Sequence, residues 1–312
     1  ALMSEMPDGG LVAVRAGSEQ EYSSVKYRPE ANWFWLTGRS KPGESFLMFQ
    51  PGFWSRQPQV SSVLFSDAVV RSEVFDTVMP VSKFQALFNV LNRDATAVYA
   101  EFPQPAFVSD WLSNKGVFVH SIVEKNWDKG HPSVSLQPVI NLTSRHRAIK
   151  TTLEIERVQQ AIRLTANGLA DAVKVCTPGI FEWNLQATVE CAVLAGGASG
   201  TAFPSIIGSG KNALELHYSA NSDTLKPGDL VVMDVGAWYR GYSADVTRTI
   251  PVSGRFTLLQ SELYHVVLEA REAALNKAVA GNTLAHLQRA VLEVYGRNGY
   301  SPEYMPHGVS HS

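Results

Sequence analysis

The sequence predicts an α/β (α+β) protein of two domains, and three observations carry that reading. Short strand-like runs alternate with an amphipathic helical run through residues 1–140. A polar, proline-punctuated stretch from Lys129-Gly130-His131-Pro132 to Pro138 follows and reads as a linker, which divides the chain into domains 1–140 and 141–312. Beyond it, four helical stretches flank an apolar hairpin that carries an acid in each arm. The 312 residues, 45% apolar and only 18% charged, allow two compact domains with at least one large core.

In chain order, Gly10-Leu11-Val12-Ala13-Val14 predicts a short strand. Asn32-Trp33-Phe34-Trp35-Leu36-Thr37-Gly38 predicts an aromatic strand ending at glycine, its tryptophans more at home in a core than lining a pocket. Ser45–Phe49 and Ser62–Phe65 are further strands. Lys83 to Leu91 has helical spacing through Phe84, Leu87, Phe88 and Leu91. Ala95–Tyr99 and Val117–Val119 complete the strand set. A helix is predicted over 152–175, capped by Thr151 or Thr152, with an apolar stripe of Ile155, Val158, Ile162, Thr165, Leu169 and Val173. A second runs from about Phe181 to Leu194 and stops at Gly196-Gly197. Two more cover 258–279 and 284–297, the last capped by Asn282 or Thr283 and closed by Gly299.

Composition excludes several function classes. A net charge of −2 implies no general affinity for nucleic acid or anionic membrane. No apolar run reaches the ~18 residues of a transmembrane helix, no signal peptide opens the sequence, and a cytoplasmic protein is expected. Cys176 and Cys191 lack Cys or His partners at metal spacing and read as buried free thiols, with a disulfide as the lesser alternative. Asn141-Leu142-Thr143 matches a glycosylation acceptor, a triplet common by chance. Gly208-Ser209-Gly210-Lys211-Asn212 lacks the glycine spacing and the Ser/Thr after lysine that a phosphate loop needs. His120, His131 and His146 have no spaced partners and read as surface or structural.

The chemistry concentrates between Val231 and Thr249. Leu230 to Val235 is an apolar run interrupted by Asp234, Tyr239-Arg240-Gly241 can turn, and the returning arm carries Asp245. A two-residue loop at Tyr239-Arg240 pairs 234 with 245, with Cβ atoms about 4.5–5.5 Å apart. A longer loop with a bulge at Gly241 is equally compatible, since favoured two-residue turns want left-handed residues. Single acids at strand ends are usually solvated. Two carboxylates this close repel unless protonated or bound to cations, and a pair of divalent metals about 3.5–4 Å apart fits between them. Nearby stand His217, in Leu216-His217-Tyr218, and the pair His307 and His311, in Pro306-His307-Gly308-Val309-Ser310-His311. Gly308 and Val309 argue for extended structure there, in which His307 and His311 point the same way.

These stretches together carry a resemblance. Ile206-Ile-Gly-Ser-Gly-Lys-Asn-Ala-Leu-Glu-Leu-His-Tyr-Ser-Ala-Asn221, the Asp229–Gly236 run, the stretch from Gly241 through Tyr264, and His307-Gly-Val-Ser-His311 resemble the aminopeptidase P, prolidase and creatinase family over roughly 145–312. Tyr27-Arg28 through Gly38 resembles that family's N-terminal domain. The resemblance implies a creatinase-like α/β domain followed by a pita-bread catalytic domain. It implies a dinuclear metallo-exopeptidase that cleaves an N-terminal residue from a following proline. It places Asp234, Asp245 and His311 as metal ligands, His217 as a transition-state hydrogen-bond donor and His307 as a substrate-side histidine. Arg248 is placed as support near Asp245. The implied cofactors are two divalent metal ions, Mn2+ in preference to Co2+ or Zn2+, because the ligand set is rich in oxygen with one imidazole. The implied partners are peptides with proline second, and a homodimer or homotetramer is compatible.

The family pattern also asks for two glutamates and a further histidine downstream of His311. On the residues given, the pita-bread domain reads as incomplete at its C-terminal end, and a competent form is expected to contain more chain. Within the family the runner-up activity is that of a strict Xaa-Pro dipeptidase. Outside it, the alternative is a metal-free, inactive binding module on the same fold.

Overall fold

The structure, a computed structural model, describes residues 2–16, 31–68, 70, 74–91, 93–100, 135–305 and 307–310. It divides into two compact units, 1–161 with 238–243, and 162–237 with 244–312. The predicted strand Val117–Val119, His120, His131 and Tyr27-Arg28 lie outside the described residues.

In the first unit, the described strands form a six-stranded mixed sheet. They are β1 (Gly10–Arg15), β2 (Ser45–Phe49), β3 (Ser62–Phe65), β4 (Thr77–Met79), β5 (Ala97–Ala100) and β6 (Ser135–Pro138), in the order β4-β3-β2-β1-β5-β6. β1 runs antiparallel to β2 and parallel to β5. Its apolar run is buried on both faces, as expected of a covered central strand. Leu11 and Ala13 join a cluster with Phe84, Leu87, Phe88 and Leu91, so α3 (Phe84–Leu91) covers that face. Val12 and Val14 join Trp33 and Leu142 on the other, with Leu2 and Met3 of α1 (Leu2–Glu5) packed against them.

Two expectations in this unit are corrected. Residues Asn32–Gly38 are not a strand: α2 (Ala31–Thr37) is a helix, with Gly38 just past its end at φ +67°. Asn32 and Trp33 are buried and Leu36 packs beside them, the i, i+1, i+4 spacing of a helix face. Aromatic β-propensity yields here to tertiary packing, and Gly38 is a helix C-terminal glycine rather than a strand end. Asn32 Oδ1 accepts hydrogen bonds of 2.7 Å each from Thr143 Oγ1 and Arg147 Nη1, tying α2 to α4 (Ile140–Ala148). The end of the expected linker, Ser135–Pro138, is strand β6, while 129–134 lies outside the described residues. Proline is tolerated there because, among the described strands, β6 lies at the edge of the sheet, where a missing N–H has no further neighbour to serve.

The predicted helices appear as α5 (Thr152–Val175), α6 (Glu182–Ala195), α7 (Leu258–Lys277) and α8 (Leu284–Arg297). Thr151 and Glu154 exchange the hydrogen bonds of a capping box ahead of α5. The buried stripe of α5 is Ala161, Leu164, Thr165, Gly168, Leu169 and Ala172, rotated from the expected one; Ile155, Ile162 and Val173 are exposed. Gly168 accounts for the rotation: a Cβ there would stand 3.0 Å from the Val189 carbonyl, so α6 approaches α5 along the side that bears it. Both cysteines are free, but Cys176 is half-buried and Cys191 exposed, since Cys191 falls off the Leu185–Val189–Val193 face of α6. α7 and α8 pair through Ala270, Val291 and Val294. Among the described residues no helix is long and apolar enough to cross a membrane.

Candidate metal centre

In the second unit, which begins its strands with the short β7 (Gly200–Thr201), β9 (Leu230–Val235) is the middle strand between β8 (Ile206–Ser209) and β12 (Val246–Pro251). Strand alternation buries Val231, Met233 and Val235 on one face and leaves Asp234 half-buried on the other. Asp234 lies opposite Ile206 on one side and Thr247 on the other.

The facing residue is therefore Thr247, not Asp245, and the turn is the reason. β10 (Ala237–Tyr239) and β11 (Tyr242–Ser243) pair Trp238 with Ser243 and Tyr239 with Tyr242, so the two-residue loop is Arg240-Gly241. Arg240 (φ +47°) and Gly241 (φ +89°) are both left-handed, as a type I′ turn requires. A Cβ on Gly241 would lie 2.1 Å from Phe34 Cε1, which fixes glycine there a second way. Moving the turn by one residue shifts the register by two, and Asp245 becomes a diagonal neighbour of Asp234 on the same face.

The two carboxylates still meet. Burial, above all, pushes the Asp234 carboxyl above the ordinary carboxylate range; the Thr247 hydroxyl opposes this, the adjacent Asp245 carboxylate adds to it, and His217 opposes it. Asp234 Oδ1 is buried and has no hydrogen-bond partner among the described residues. A buried oxygen that can only accept, beside a second carboxylate, is what an oxygen-seeking cation satisfies. The residues present thus fit a divalent metal. Among the described residues no group of three or more His, Cys, Asp and Glu side chains is gathered as a metal site, and His311 lies outside them.

His217 is exposed and holds φ +60°, unusual for a non-glycine residue. Arg248 pairs with Met233 in the register, so its side chain leaves β12 on the face away from Thr247; its Nη1 donates to the Thr247 carbonyl at 2.7 Å. His307 is exposed beside the α7–α8 pair, its Nδ1 2.8 Å from the Gly308 carbonyl, in a segment anchored by Met305 and Val309.

Sequence reasoning missed two residues. Thr247 was hidden by the register. Glu182 belongs to no motif in the sequence, yet it is fully buried at the start of α6 and is surrounded by donors. Burial by itself would push its carboxyl up, but hydrogen bonds from Asp223 N–H, Ser209 N–H, Asn212 and Tyr218 outweigh burial and hold it below the ordinary range.

The model of metallopeptidase family M24 matches residues 156–312, just over half of the chain. The chain belongs to metallopeptidase family M24. Over 357 aligned positions it is 27% identical to the Xaa-Pro aminopeptidase of Escherichia coli (strain K12), covering 100% of this chain and 77% of that protein. It is 30% identical over 234 positions to the Xaa-Pro dipeptidase of Pyrococcus furiosus, covering 75% of this chain and 62% of that one. The solved structure of Pseudomonas aeruginosa aminopeptidase PepP superposes with a TM-score of 0.76 at 25% identity, over 96% of this chain and 71% of its own. The mixed α/β architecture is that of the pita-bread family.

Proposed function

We propose that this M24 protein is a metal-dependent Xaa-Pro aminopeptidase, hydrolysing the bond between an N-terminal residue and a following proline. The observation that carries the proposal is the buried, unpartnered Oδ1 of Asp234 with the Asp245 carboxylate against it. The similarity to the E. coli Xaa-Pro aminopeptidase along the whole chain supports the substrate class.

Asp234 and Asp245 would hold the metal, with His311 as a further ligand by family pattern. Bound divalent ions, Mn2+ first among candidates, would supply Lewis acidity towards the scissile carbonyl and the attacking water. His217, exposed near Asp234, would donate a hydrogen bond to the substrate as charge develops on the carbonyl oxygen. His307 is assigned to the substrate side and Arg248 to support of β12 through the Thr247 carbonyl. Proline second in the substrate removes an N–H and fixes φ, so recognition by extended-strand pairing fails. A site that grips the carbonyl and the free amine asks less of the substrate backbone.

The test is cleavage of Xaa-Pro-Yaa peptides against matched Xaa-Ala-Yaa peptides, with and without a chelator. The expected result is metal-dependent release of the first residue from the proline series alone. Equal turnover of both series would defeat the substrate assignment. The resemblance to the P. furiosus dipeptidase supports a second reading, a strict dipeptidase, for which Xaa-Pro is cut and Xaa-Pro-Yaa is spared.

A further inference from the structure

Glu182 has no place in the assignment above, yet it is fully buried and both its oxygens are engaged. Oε1 accepts from Ser209 N (2.7 Å), Ser209 Oγ (2.8 Å) and Asn212 Nδ2 (3.1 Å). Oε2 accepts from Tyr218 Oη (2.8 Å) and Asp223 N (3.0 Å). The donors come from the end of β8 and from the loop that follows it, the loop that carries His217. In return Glu182 N donates to the Asp223 carbonyl at 2.9 Å, so the acid is fastened to the loop at both ends.

The loop needs such a fastening. His217 is left-handed, and a non-glycine residue persists there only when its surroundings over-determine it. Its neighbour Tyr218 supplies the constraint: the ring is buried, and its hydroxyl donates to Glu182 while accepting from Asn212 Nδ2 (2.9 Å) and Ser222 N (3.2 Å). On the far side of the loop, Asn221 is buried and left-handed too, accepting from Ile207 N and donating to Ser205 O and Gln186 Oε1. His217 is thus the exposed crest of a loop whose flanks are tied down.

We propose that Glu182 is a positioning residue for catalysis: it acts through Tyr218 to fix the backbone of His217 so that the imidazole is held beside Asp234. The proposal rests on the reading of His217 as the group that hydrogen-bonds the reacting carbonyl. An isosteric Glu182→Gln replaces one acceptor oxygen with a donor, so at least one of the two donor sets loses its partner. The side chain keeps its size, and neither metal-binding aspartate is touched.

The experiment is a double-mutant cycle of E182Q and H217A in the intact protein, with kcat, KM and bound metal per chain measured for an Xaa-Pro peptide. E182Q is expected to lower kcat about tenfold or more, within the roughly 100-fold that a 1 Å misplacement can cost. KM and metal content should stay at the parent values. In the H217A background, E182Q should have no further effect, because the residue it positions is gone. Tyr218→Phe, which removes one hydroxyl and no bulk, should give a smaller kcat loss of the same kind and serves if E182Q does not fold. A slow H217A with E182Q and Y218F at parental kcat overturns the positioning role alone. Losses that multiply in the double mutant also overturn it, since they show a general structural effect. An H217A variant with unchanged kcat overturns the reading of His217 itself, and this proposal with it.

Discussion

Asp234 faces Thr247, not Asp245, across the β9–β12 pair, and Asp245 reaches it from the diagonal position. The hydroxyl of Thr247, with a smaller contribution from His217, holds the half-buried acid towards its ionised form, against burial and against its carboxylate neighbour. Replacing Thr247 by valine keeps shape and removes that hydrogen bond. Mn2+ affinity, measured by calorimetric titration, is expected to fall roughly tenfold or more, the usual consequence of losing a ligand's supporting partner. Unchanged affinity would mean that the threonine only fills space.

The same geometry sets a pH dependence in the metal-free protein. The folded-state pKa of Asp234 is raised, so between the unfolded value of about 3.9 and the higher folded one the native state holds the extra proton. Stability from this group therefore falls as pH rises through that window, and the penalty is complete above it. Asp234→Asn should raise the urea midpoint of chelator-treated protein at pH 7, and added Mn2+ should reverse the order of the two. A lower midpoint for the variant under chelation contradicts this.

Glu182 has the opposite sign. Its folded-state pKa is depressed, so its stabilisation is present above the unfolded value of about 4.3 and is lost as pH falls through the lower folded value. Urea midpoints followed from pH 5 to pH 3 should drop more steeply for the parent than for E182Q. Parallel curves would show that the buried carboxylate does not govern acid sensitivity.

Much of this was legible in the sequence. The helices from Thr152 onward announced themselves by period and by caps such as Thr151 and Thr283, which are local devices. The apolar strands of the first unit did too. The failures were not local. Asn32–Thr37 has strand composition, and only its packing partners make it a helix. The register around Asp234 turned on whether Arg240 accepts a left-handed backbone, and Gly241 as second turn residue was the available clue. The role of Glu182 depends on donors 27 to 41 positions away in sequence, which no motif links to it.

At Gly236 the hairpin arms approach closely. A Cβ there would stand 1.9 Å from the Ala244 carbonyl oxygen and 3.0 Å from Phe203 Cε1. Neither strand can yield easily, since Gly236 O accepts from Ala202 N (2.7 Å) and Ala244 N donates to Ala237 O (2.9 Å). Gly236→Ala should destabilise by about 3 kcal/mol or more, the upper end for overpacked sites. Gly200→Ala, with nothing within 4 Å of the added carbon, should stay within about 0.5 kcal/mol of the parent. Equal unfolding midpoints for the two variants would refute the close approach at Gly236.

The central claim is that Asp234 and Asp245 form the metal centre of the peptidase. Its most direct test is to titrate Mn2+ into chelator-treated intact protein, following bound metal and Xaa-Pro hydrolysis in the same samples. Activity is expected to rise in step with bound metal in the parent, while Asp234→Asn and Asp245→Asn each lose both together. Full hydrolysis without bound metal, or undiminished metal binding in both variants, would contradict it.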